Sequence, residues 1–188
     1  MIRVLIQKNI HELSKRTNGK TTTATLLFRL FRKLGYNVGL LSTILNKIND
    51  KELPSTHTTA DALQINELLK KMADDGCTHC FMEVSSHAID QNRISGLDFN
   101  LAVFTNITHD HLDYHGSLAS YARAKLQLFT GEDLQYAIIN ADDPYAMQVP
   151  AVVAPGVKVL TYSSTPGAGA DVQIESTAYS ADGARAVI

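Results

Sequence analysis

Short apolar runs alternate with amphipathic segments along most of the chain. From Thr21 to Leu34, leucine and phenylalanine recur at helical spacing (Leu26, Leu27, Leu30, Phe31 and Leu34), and Gly35 is suited to end that helix. The pattern predicts a second helix from Ala60 to Asp74, capped by Thr59, and a third from Ser117 to Phe129. Strands are predicted for five runs: Val38 to Leu41, His79 to Val84, Leu101 to Thr105, Tyr136 to Ile139 and Val157 to Thr161.

This alternation predicts an α/β fold, with a mostly parallel sheet covered by helices on both faces. In such sheets ligands bind outside the carboxyl ends of the strands. The polar sequences TNGKTT, EVSSH, TNITHDHLD and NADD all fall at helix starts or strand ends, so we expect them to meet at one edge. Near the end, alternation from Asp171 to Ala178 and a turn at Ala181-Asp182-Gly183 predict a hairpin cut off in its second strand.

Composition excludes several classes of protein. The chain has 188 residues, of which 45% are hydrophobic and 19% charged, and this balance is typical of a folded domain. The net charge of −2 gives no basic surface for nucleic acid or an anionic membrane, and no apolar run reaches the ~18 residues of a membrane span. Cys77 and Cys80 are too few for a disulfide framework, so a cytoplasmic location is expected. No obligate protein partner is indicated.

A phosphate-binding sequence opens the first helix: Thr17-Asn18-Gly19-Lys20-Thr21-Thr22. Lys20 offers a charge for phosphates, the Thr21 hydroxyl can bind Mg²⁺, and the helix start offers free N–H groups. The full pattern G-x-x-x-x-G-K-[ST] is incomplete, because Ser14 stands at its first glycine. A strand is expected directly before that point, yet the only strand-like run, Arg3 to Ile6, comes too early. The alternative is a helix that merely begins with Gly-Lys-Thr.

Other candidate residues each have a structural alternative. Glu83, at a strand end, suits a second Mg²⁺ contact, or it is a solvated carboxylate beside capping serines. His109, His111 and His115 could bind metal, steer a phosphate or cap the helix at Ser117. Lys125 could be a surface lysine, and Asn140 could contact a base or form a turn. The Thr58-Thr59 hydroxyls could hold an anionic substrate or cap a helix. Cys77-Thr78-His79-Cys80 has zinc-like spacing, but no second pair follows, so we expect buried structural thiols.

Together these motifs closely resemble the central, ATP-binding domain of the Mur ligase family. TNGKTTT and NADD are shared with folylpolyglutamate synthetases, whereas HTT, EVSSHAIDQNR and DHLDYHG resemble the MurE branch more specifically. The resemblance runs from Thr17 to Ile188. It implies a ligase of peptidoglycan synthesis that uses ATP to phosphorylate the D-glutamate carboxylate of UDP-N-acetylmuramoyl-dipeptide. A diamino acid then attacks the acyl phosphate, and diaminopimelate is expected over lysine from family prevalence alone.

The resemblance also implies residue roles. The segment from Thr17 to Thr22 would hold the ATP phosphates, and Asn140 would contact the adenine. Mg²⁺ ions would be bound by Thr21, Glu83, His111 and Lys125, with Lys125 carbamylated. Lys20, His111 and Lys125 would form the catalytic set. The muramoyl-dipeptide would be contacted by Thr58, Thr59, Ser85, Gln91 and Arg93.

The sequence also departs from the family. Residues 1–16 do not resemble it, and Ala60 stands where proline is common. The N-terminal uridine-binding and C-terminal amino-acid-binding domains are not recognisable, and the central domain is expected to be incomplete. We therefore expect residues 1–16 to derive from a shifted frame or a misjoined gene. The alternative function is a non-catalytic remnant that binds ATP weakly or not at all.

Overall fold

The computed structural model describes residues 3–8, 20–54, 59–107, 112–180 and 183–187, with the backbone alone at 3–8, 20, 112–113, 177–180 and 183–186. The strands are β1 Arg3–Lys8, β2 Val38–Leu41, β3 Leu45–Ile48, β4 Lys51–Pro54, β5 His79–Val84, β6 Phe99–Phe104, β7 Tyr136–Asn140, β8 Lys158–Ser163, β9 Val172–Gln173, β10 Ser176–Ser180 and β11 Gly183–Val187. The helices are α1 Lys20–Lys33, α2 Ala62–Asp74, α3 Ser86–Asp90, α4 Leu112–His115 and α5 Leu118–Leu126, with 3-10 turns at Gln127–Thr130 and Ala146–Ala151.

Nine strands form one twisted sheet in the order β4-β3-β2-β5-β1-β6-β7-β8-β9. Every neighbouring pair from β2 to β9 is parallel, and only β3 and β4 add antiparallel strands at one edge. Because β5, β1, β6 and β7 are adjacent and parallel, their carboxyl ends lie along the same edge. The predicted α/β class and the mostly parallel sheet are confirmed.

The strand-like run from Arg3 to Ile6 is confirmed as a strand, although it ends well before the phosphate-binding sequence. Residues Arg3–Lys8 form β1, which lies in the centre of the sheet between β5 and β6. Its register runs from Arg3 opposite His79 to Lys8 opposite Val84. The strand is early in sequence because residues 9–19 separate it from α1, and eleven residues can span roughly 36 Å when extended. The separation in sequence between β1 and α1 is therefore longer than the phosphate-loop pattern predicts.

Helices cover both faces of the sheet. Phe81 of β5 packs with Phe28 of α1 on one face, whereas Met82 packs with Ile65 and Met72 of α2 on the other. All of these side chains are at most 5% exposed. Successive residues of a strand point to opposite faces, so a continuous apolar run such as that of β5 is what a sheet covered on both sides requires.

The apolar face of α1 differs from the predicted one. The helix buries Ala24 and Phe28 against the sheet, whereas Leu26, Leu30 and Leu34 are 57%, 51% and 63% exposed. Both sets recur at intervals of four residues, so α1 carries two apolar stripes and the sheet covers one of them. Gly35 does end the helix: its φ is +89°, and the Tyr36 amide donates back to the Phe31 carbonyl at 3.1 Å.

Three element boundaries were predicted wrongly for identifiable reasons. Helix α2 begins at Ala62 rather than Ala60, because Asp61 and not Thr59 caps it, accepting from the Gln64 amide at 2.9 Å. The β3-β4 hairpin was not predicted, although asparagine and aspartate are common turn residues and Asn49 adopts a φ of +54°. The predicted strand from Asp171 to Ala178 is divided between β9, in the main sheet, and β10, which pairs with β11.

Gly39 of β2 allows the Met72 side chain to lie directly on the sheet. A Cβ added at Gly39 would stand 2.2 Å from the Met72 sulfur, and Met72 is fully buried.

We therefore expect Gly39→Ala to lower the free energy of unfolding by about 1–3 kcal/mol, the range for an overpacked core. Urea denaturation followed by circular dichroism measures this change.

Gly131→Ala is the matched control for Gly39→Ala. Gly131 has a φ of −65°, and a Cβ built there meets no atom within 4 Å. Its substitution should change the free energy of unfolding by less than about 0.5 kcal/mol. Equal stability of the two variants would contradict the packing argument.

Candidate active site at the carboxyl edge of the sheet

Glu83 is the buried carboxylate at the centre of the candidate site. It lies near the end of β5 and is only 2% exposed. Its Oε2 atom accepts hydrogen bonds from the Thr43 amide at 3.1 Å, from the Thr43 hydroxyl at 2.9 Å and from the Thr21 hydroxyl at 3.3 Å. Such donors offset the cost of withdrawing a carboxylate from water. The alternative of a solvated surface carboxylate is therefore wrong.

Thr21 brings the start of α1 to Glu83. It is the second residue of the helix, so its hydroxyl lies where the unpaired N–H groups and the positive end of the helix dipole are located. The pairing of a hydroxyl and a carboxylate at this point matches the oxygen ligands that Mg²⁺ prefers. Lys20 begins α1, and its side chain lies outside the described residues, as do Thr17, Asn18 and Gly19.

Thr59 connects the end of β5 with the segment that precedes α2. Its hydroxyl accepts from the Ser85 amide at 3.0 Å and donates to the Glu83 carbonyl at 3.2 Å. Its own carbonyl accepts from the Arg93 guanidinium at 3.0 Å. Arg93 also bonds to the side chain of Gln91. The structure thus brings together four of the five residues expected to contact substrate, and the fifth, Thr58, lies outside the described residues.

Tyr114 extends this group of side chains. Its hydroxyl accepts from Gln91 Nε2 at 3.2 Å and donates to Asp90 at 2.8 Å. Its ring lies 4.2 Å from that of His87, measured between centroids. The sequence analysis did not single out Tyr114 or Asp90. Tyr114 belongs to the DHLDYH segment, in which the histidines are the more obvious candidate ligands.

Lys125 is a core residue rather than a surface lysine. It lies on α5, is 1% exposed, and its Nζ atom stands 4.2 Å from the centre of the Tyr121 ring. Helix α5 begins at Leu118, where the Ser117 hydroxyl accepts from the Ser120 amide at 3.2 Å. The alternative in which the lysine extends to solvent is therefore wrong. His111, expected to act beside Lys125, lies outside the described residues.

Asn140 uses its side chain to tie neighbouring strand ends. Its Nδ2 donates to the Thr105 carbonyl at 2.7 Å, and its Oδ1 accepts from the Asp142 amide at 3.0 Å. The amide group retains a second N–H that could reach a ligand. Contact of Asn140 with adenine therefore stays a prediction, and a strand-connecting role is what the geometry shows.

The cysteines belong to the core. Cys80 is fully buried, its thiol donates to the Phe81 carbonyl, and burial raises its pKa above that of a free thiol. Burial also raises the pKa of the Cys77 thiol. Thiols held in the protonated state are poor metal ligands. Among the described residues, no group of three histidine, cysteine, aspartate or glutamate side chains is placed to hold a metal ion.

Comparison with known proteins identifies the family. The family model for the Mur ligase middle domain matches residues 17–188. A ligase of Cytophaga hutchinsonii named UDP-N-acetylmuramoyl-L-alanyl-D-glutamate--2,6-diaminopimelate ligase is 60% identical over 128 residues, which are 68% of this chain and 26% of that protein. The same-named ligase of Parabacteroides distasonis is 49% identical over 150 residues, 78% of this chain and 30% of that protein. The chain belongs to the Mur ligase family.

Solved structures agree with this assignment. A structure of UDP-N-acetylmuramoyl-L-alanyl-D-glutamate--2,6-diaminopimelate ligase superposes with a TM-score of 0.83 at 34% identity, over 100% of this chain and 39% of that one. The FolC protein of E. coli, solved with DHPP and ADP, has a TM-score of 0.63 at 20% identity and shows a shared fold. This chain spans less than a third of the length of the two curated relatives above. Within the part that the structure describes, no helix is long and apolar enough to cross a membrane.

Thr43 is the main site residue of this Mur ligase domain that the sequence analysis missed. It supplies two of the three hydrogen bonds on the Glu83 carboxylate oxygen, from the loop between β2 and β3. That loop follows the strand next to β5 in the sheet, so it reaches the same edge. Sequence alone did not show this neighbour relation, because β2 and β5 are separated by a hairpin and a helix.

Asp142 connects β7 to the end of β8. Its carboxylate accepts from the Ser163 hydroxyl and from the amide and hydroxyl of Ser164, and these bonds, led by that from Ser163, lower its pKa to about 2. The contribution of these bonds to the free energy of unfolding is fully present above the ordinary pKa of 3.8 and is lost as the pH falls through about 2.

We expect Ser163→Ala to raise the Asp142 pKa toward 3.8, because it removes the hydrogen bond that contributes most to the shift. The pKa is measured from the chemical shift of the Asp142 carboxyl carbon in an NMR titration.

Thr130→Ala is the control for this titration, because the Thr130 hydroxyl donates to Gln127 of its own turn. It should leave the Asp142 pKa unchanged. An Asp142 pKa that is the same in Ser163→Ala as in the unsubstituted protein would contradict the assignment of the shift to Ser163.

Proposed function

We propose that this chain is the central domain of an ATP-dependent ligase that adds diaminopimelate to UDP-N-acetylmuramoyl-L-alanyl-D-glutamate in the cytoplasm, as a step of peptidoglycan synthesis. The observation that carries the proposal is the hydrogen bond between Thr21 at the start of α1 and Glu83 near the end of β5. It joins the phosphate-binding segment to a buried carboxylate at the edge where such sheets bind ligands. The names of the similar ligases supply the substrates.

The residues present fit Mg²⁺ and ATP. Glu83 and Thr21 offer a carboxylate and a hydroxyl, and the start of α1 offers N–H groups to phosphate. Lys20 would neutralise charge on the β- and γ-phosphates, and Thr17, Asn18, Gly19 and Thr22 would complete the loop. His111 and Lys125 would serve the second of two Mg²⁺ ions. When bound, Mg²⁺ supplies compensation for the charge on the transferred phosphoryl group.

The residues proposed to contact the muramoyl-dipeptide begin at Ser85, two residues after Glu83. Ser85 follows β5, and its amide is fixed by the Thr59 hydroxyl. Arg93 adds a positive charge, held by the Thr59 carbonyl and Gln91, that suits the anionic muramoyl-dipeptide. A substrate carboxylate bound here would lie at the same edge of the sheet as Thr21 and the start of α1. Proximity of this kind supplies much of the rate acceleration in phosphoryl transfer.

The proposed reaction has two steps. An oxygen of the D-glutamate carboxylate attacks the γ-phosphorus of ATP, and the bond to the β-phosphate oxygen breaks, releasing ADP. The amine of diaminopimelate then attacks the acyl carbon, loses a proton and displaces phosphate. Arg93 and the Ser85-Thr59 pair would hold the carboxylate, while Lys20 would stabilise the negative charge that develops on the phosphoryl oxygens.

Lys125 would act in its carbamylated form. Its neutral amine attacks carbon dioxide, forms an N–C bond and loses a proton, which gives an anionic carbamate in place of a cation. The burial of Lys125 to 1% exposure is consistent with a lysine used within the site rather than at the surface. Lysine is suited to such chemistry because its ionisation responds readily to burial.

Thermal stabilisation by Mg·ATP tests the proposed nucleotide site. A competent site raises the free energy of unfolding by about 2.7 kcal/mol at a hundredfold excess of ligand over Kd. We expect the melting temperature to rise with Mg·ATP and to rise less when EDTA replaces the metal. Lys20→Ala and Glu83→Gln should both remove the rise, because they delete the phosphate charge and the metal carboxylate.

Lys33→Ala is the matched control, because Lys33 lies at the opposite end of α1 from Lys20. It should keep the full Mg·ATP shift. An unchanged shift in Lys20→Ala would contradict the site proposed here, because ATP would then bind elsewhere. Absence of any shift at millimolar ATP would favour the second candidate, a non-catalytic domain, for which the observation is Ser14 at the position of the first loop glycine.

A further inference from the structure

A continuous stack of side chains connects the end of β5 with Lys125. The Ser86 hydroxyl lies 3.0 Å from His115 Nε2, and Ser86 is 2% exposed. The His115 ring is stacked on the Tyr121 ring, with 4.9 Å between centroids and 23° between planes. The Lys125 Nζ atom lies 4.2 Å from the centre of the Tyr121 ring. We refer to Ser86, His115 and Tyr121 as the stack.

The stack joins three separate elements. Ser86 begins α3, His115 ends α4, and Tyr121 and Lys125 lie one helical turn apart on α5. Residues four apart on a helix face the same side, so the tyrosine ring and the lysine side chain run side by side. Ser86 is three residues beyond Glu83 in the chain. The stack therefore connects the segment that follows β5 to the lysine on α5.

A lysine side chain has four rotatable bonds, and holding it in one position costs rotamer entropy. The Tyr121 ring beside the Lys125 side chain blocks other rotamers and so reduces the number of positions open to the amine. Tyr121 is 0% exposed and cannot itself move aside without opening the core. The ring thereby places the amine before any ligand arrives, which is the condition for a preorganised site.

We propose that Tyr121, held by His115 and Ser86, is a positioning residue that fixes the Lys125 amine inside the active site. The role of Lys125 in the reaction rests on the proposed function, whereas its positioning by Tyr121 rests on the contacts above. Tyr121 touches neither substrate nor nucleotide in this assignment and acts through the lysine.

The first experiment measures how accessible the Lys125 amine is. The variants are Tyr121→Leu, which removes the ring, Tyr121→Phe, which retains it, and Phe129→Leu, which removes a different ring that is also 0% exposed. Acetylation by an N-hydroxysuccinimide ester in CO2-free buffer is followed by peptide mass spectrometry. Lys70, whose side chain is 74% exposed, is the internal standard.

We expect Tyr121→Leu to raise the acetylation rate of Lys125 about tenfold over that in Phe129→Leu, since local opening controls the reactivity of buried groups. Tyr121→Phe should match the unsubstituted protein. Equal rates in Tyr121→Leu and Phe129→Leu would overturn the proposal. If Tyr121→Leu does not fold, His115→Ala replaces it, because it withdraws the stacked ring, and an unchanged Lys125 rate there would equally overturn it.

The second experiment separates this proposal from the proposed function. The protein is equilibrated with 13C-bicarbonate, and the lysine carbamate carbon is detected by NMR. The signal should be present in the unsubstituted protein, Tyr121→Phe and Phe129→Leu, and lost in Tyr121→Leu. No carbamate in the unsubstituted protein would contradict the role of Lys125 in the ligase, and the acetylation rates would still decide whether Tyr121 positions it. A full carbamate signal in Tyr121→Leu would overturn the positioning proposal.

Discussion

The structure depends on satisfying the hydrogen-bonding capacity of one buried carboxylate, that of Glu83, at the carboxyl edge of the sheet. Glu83 lies near the end of β5, and both of its neighbours in the chain, Met82 and Val84, are buried. A carboxylate in that position is stable only if donors replace the water it has lost. Thr43 and Thr21 provide those donors, the first from the loop after β2 and the second from the first turn of α1. The requirement to satisfy Glu83 therefore fixes the start of α1 and the end of β2 against β5.

The same constraint links the two halves of the proposed reaction. Thr59 donates to the Glu83 carbonyl with its hydroxyl and accepts from the Arg93 guanidinium with its own carbonyl. The residues proposed to contact substrate are therefore connected to Glu83, whose carboxylate accepts from Thr21 in the first turn of α1. A parallel sheet brings such groups to one edge without any contact between them in sequence.

Much of the sheet could be predicted because buried parallel strands are continuous apolar runs. The sequence HCFMEV indicated β5 correctly, and Glu83 within it was recognised as a strand-end carboxylate. The phosphate-loop pattern predicts a strand immediately before the loop, whereas β1 ends at Lys8. The position of β1 in the centre of the sheet follows from its pairing with β5 and β6, which the spacing of the motif does not contain.

The contacts that could not be predicted are those between loops distant in sequence. Thr43 follows a short strand with no motif of its own, and its approach to Glu83 depends on the order of strands in the sheet. The burial of Lys125 could not be predicted from the sequence either, because a lysine in the segment AKLQLF is compatible with the buried face or the exposed face of a helix. Asp61 displaced Thr59 as a helix cap because the Thr59 hydroxyl is engaged by Ser85 and Glu83.

The central claim is that Thr21 and Glu83 face a metal bound to the phosphates of ATP. The most direct measurement is a crystal structure with Mn²⁺ and a non-hydrolysable ATP analogue, with the metal located from its anomalous signal. The account predicts a peak within about 2.0–2.4 Å of oxygens of both Thr21 and Glu83, the distance range of such ligands, with the phosphates at the start of α1. A metal and nucleotide bound away from Glu83 would contradict it.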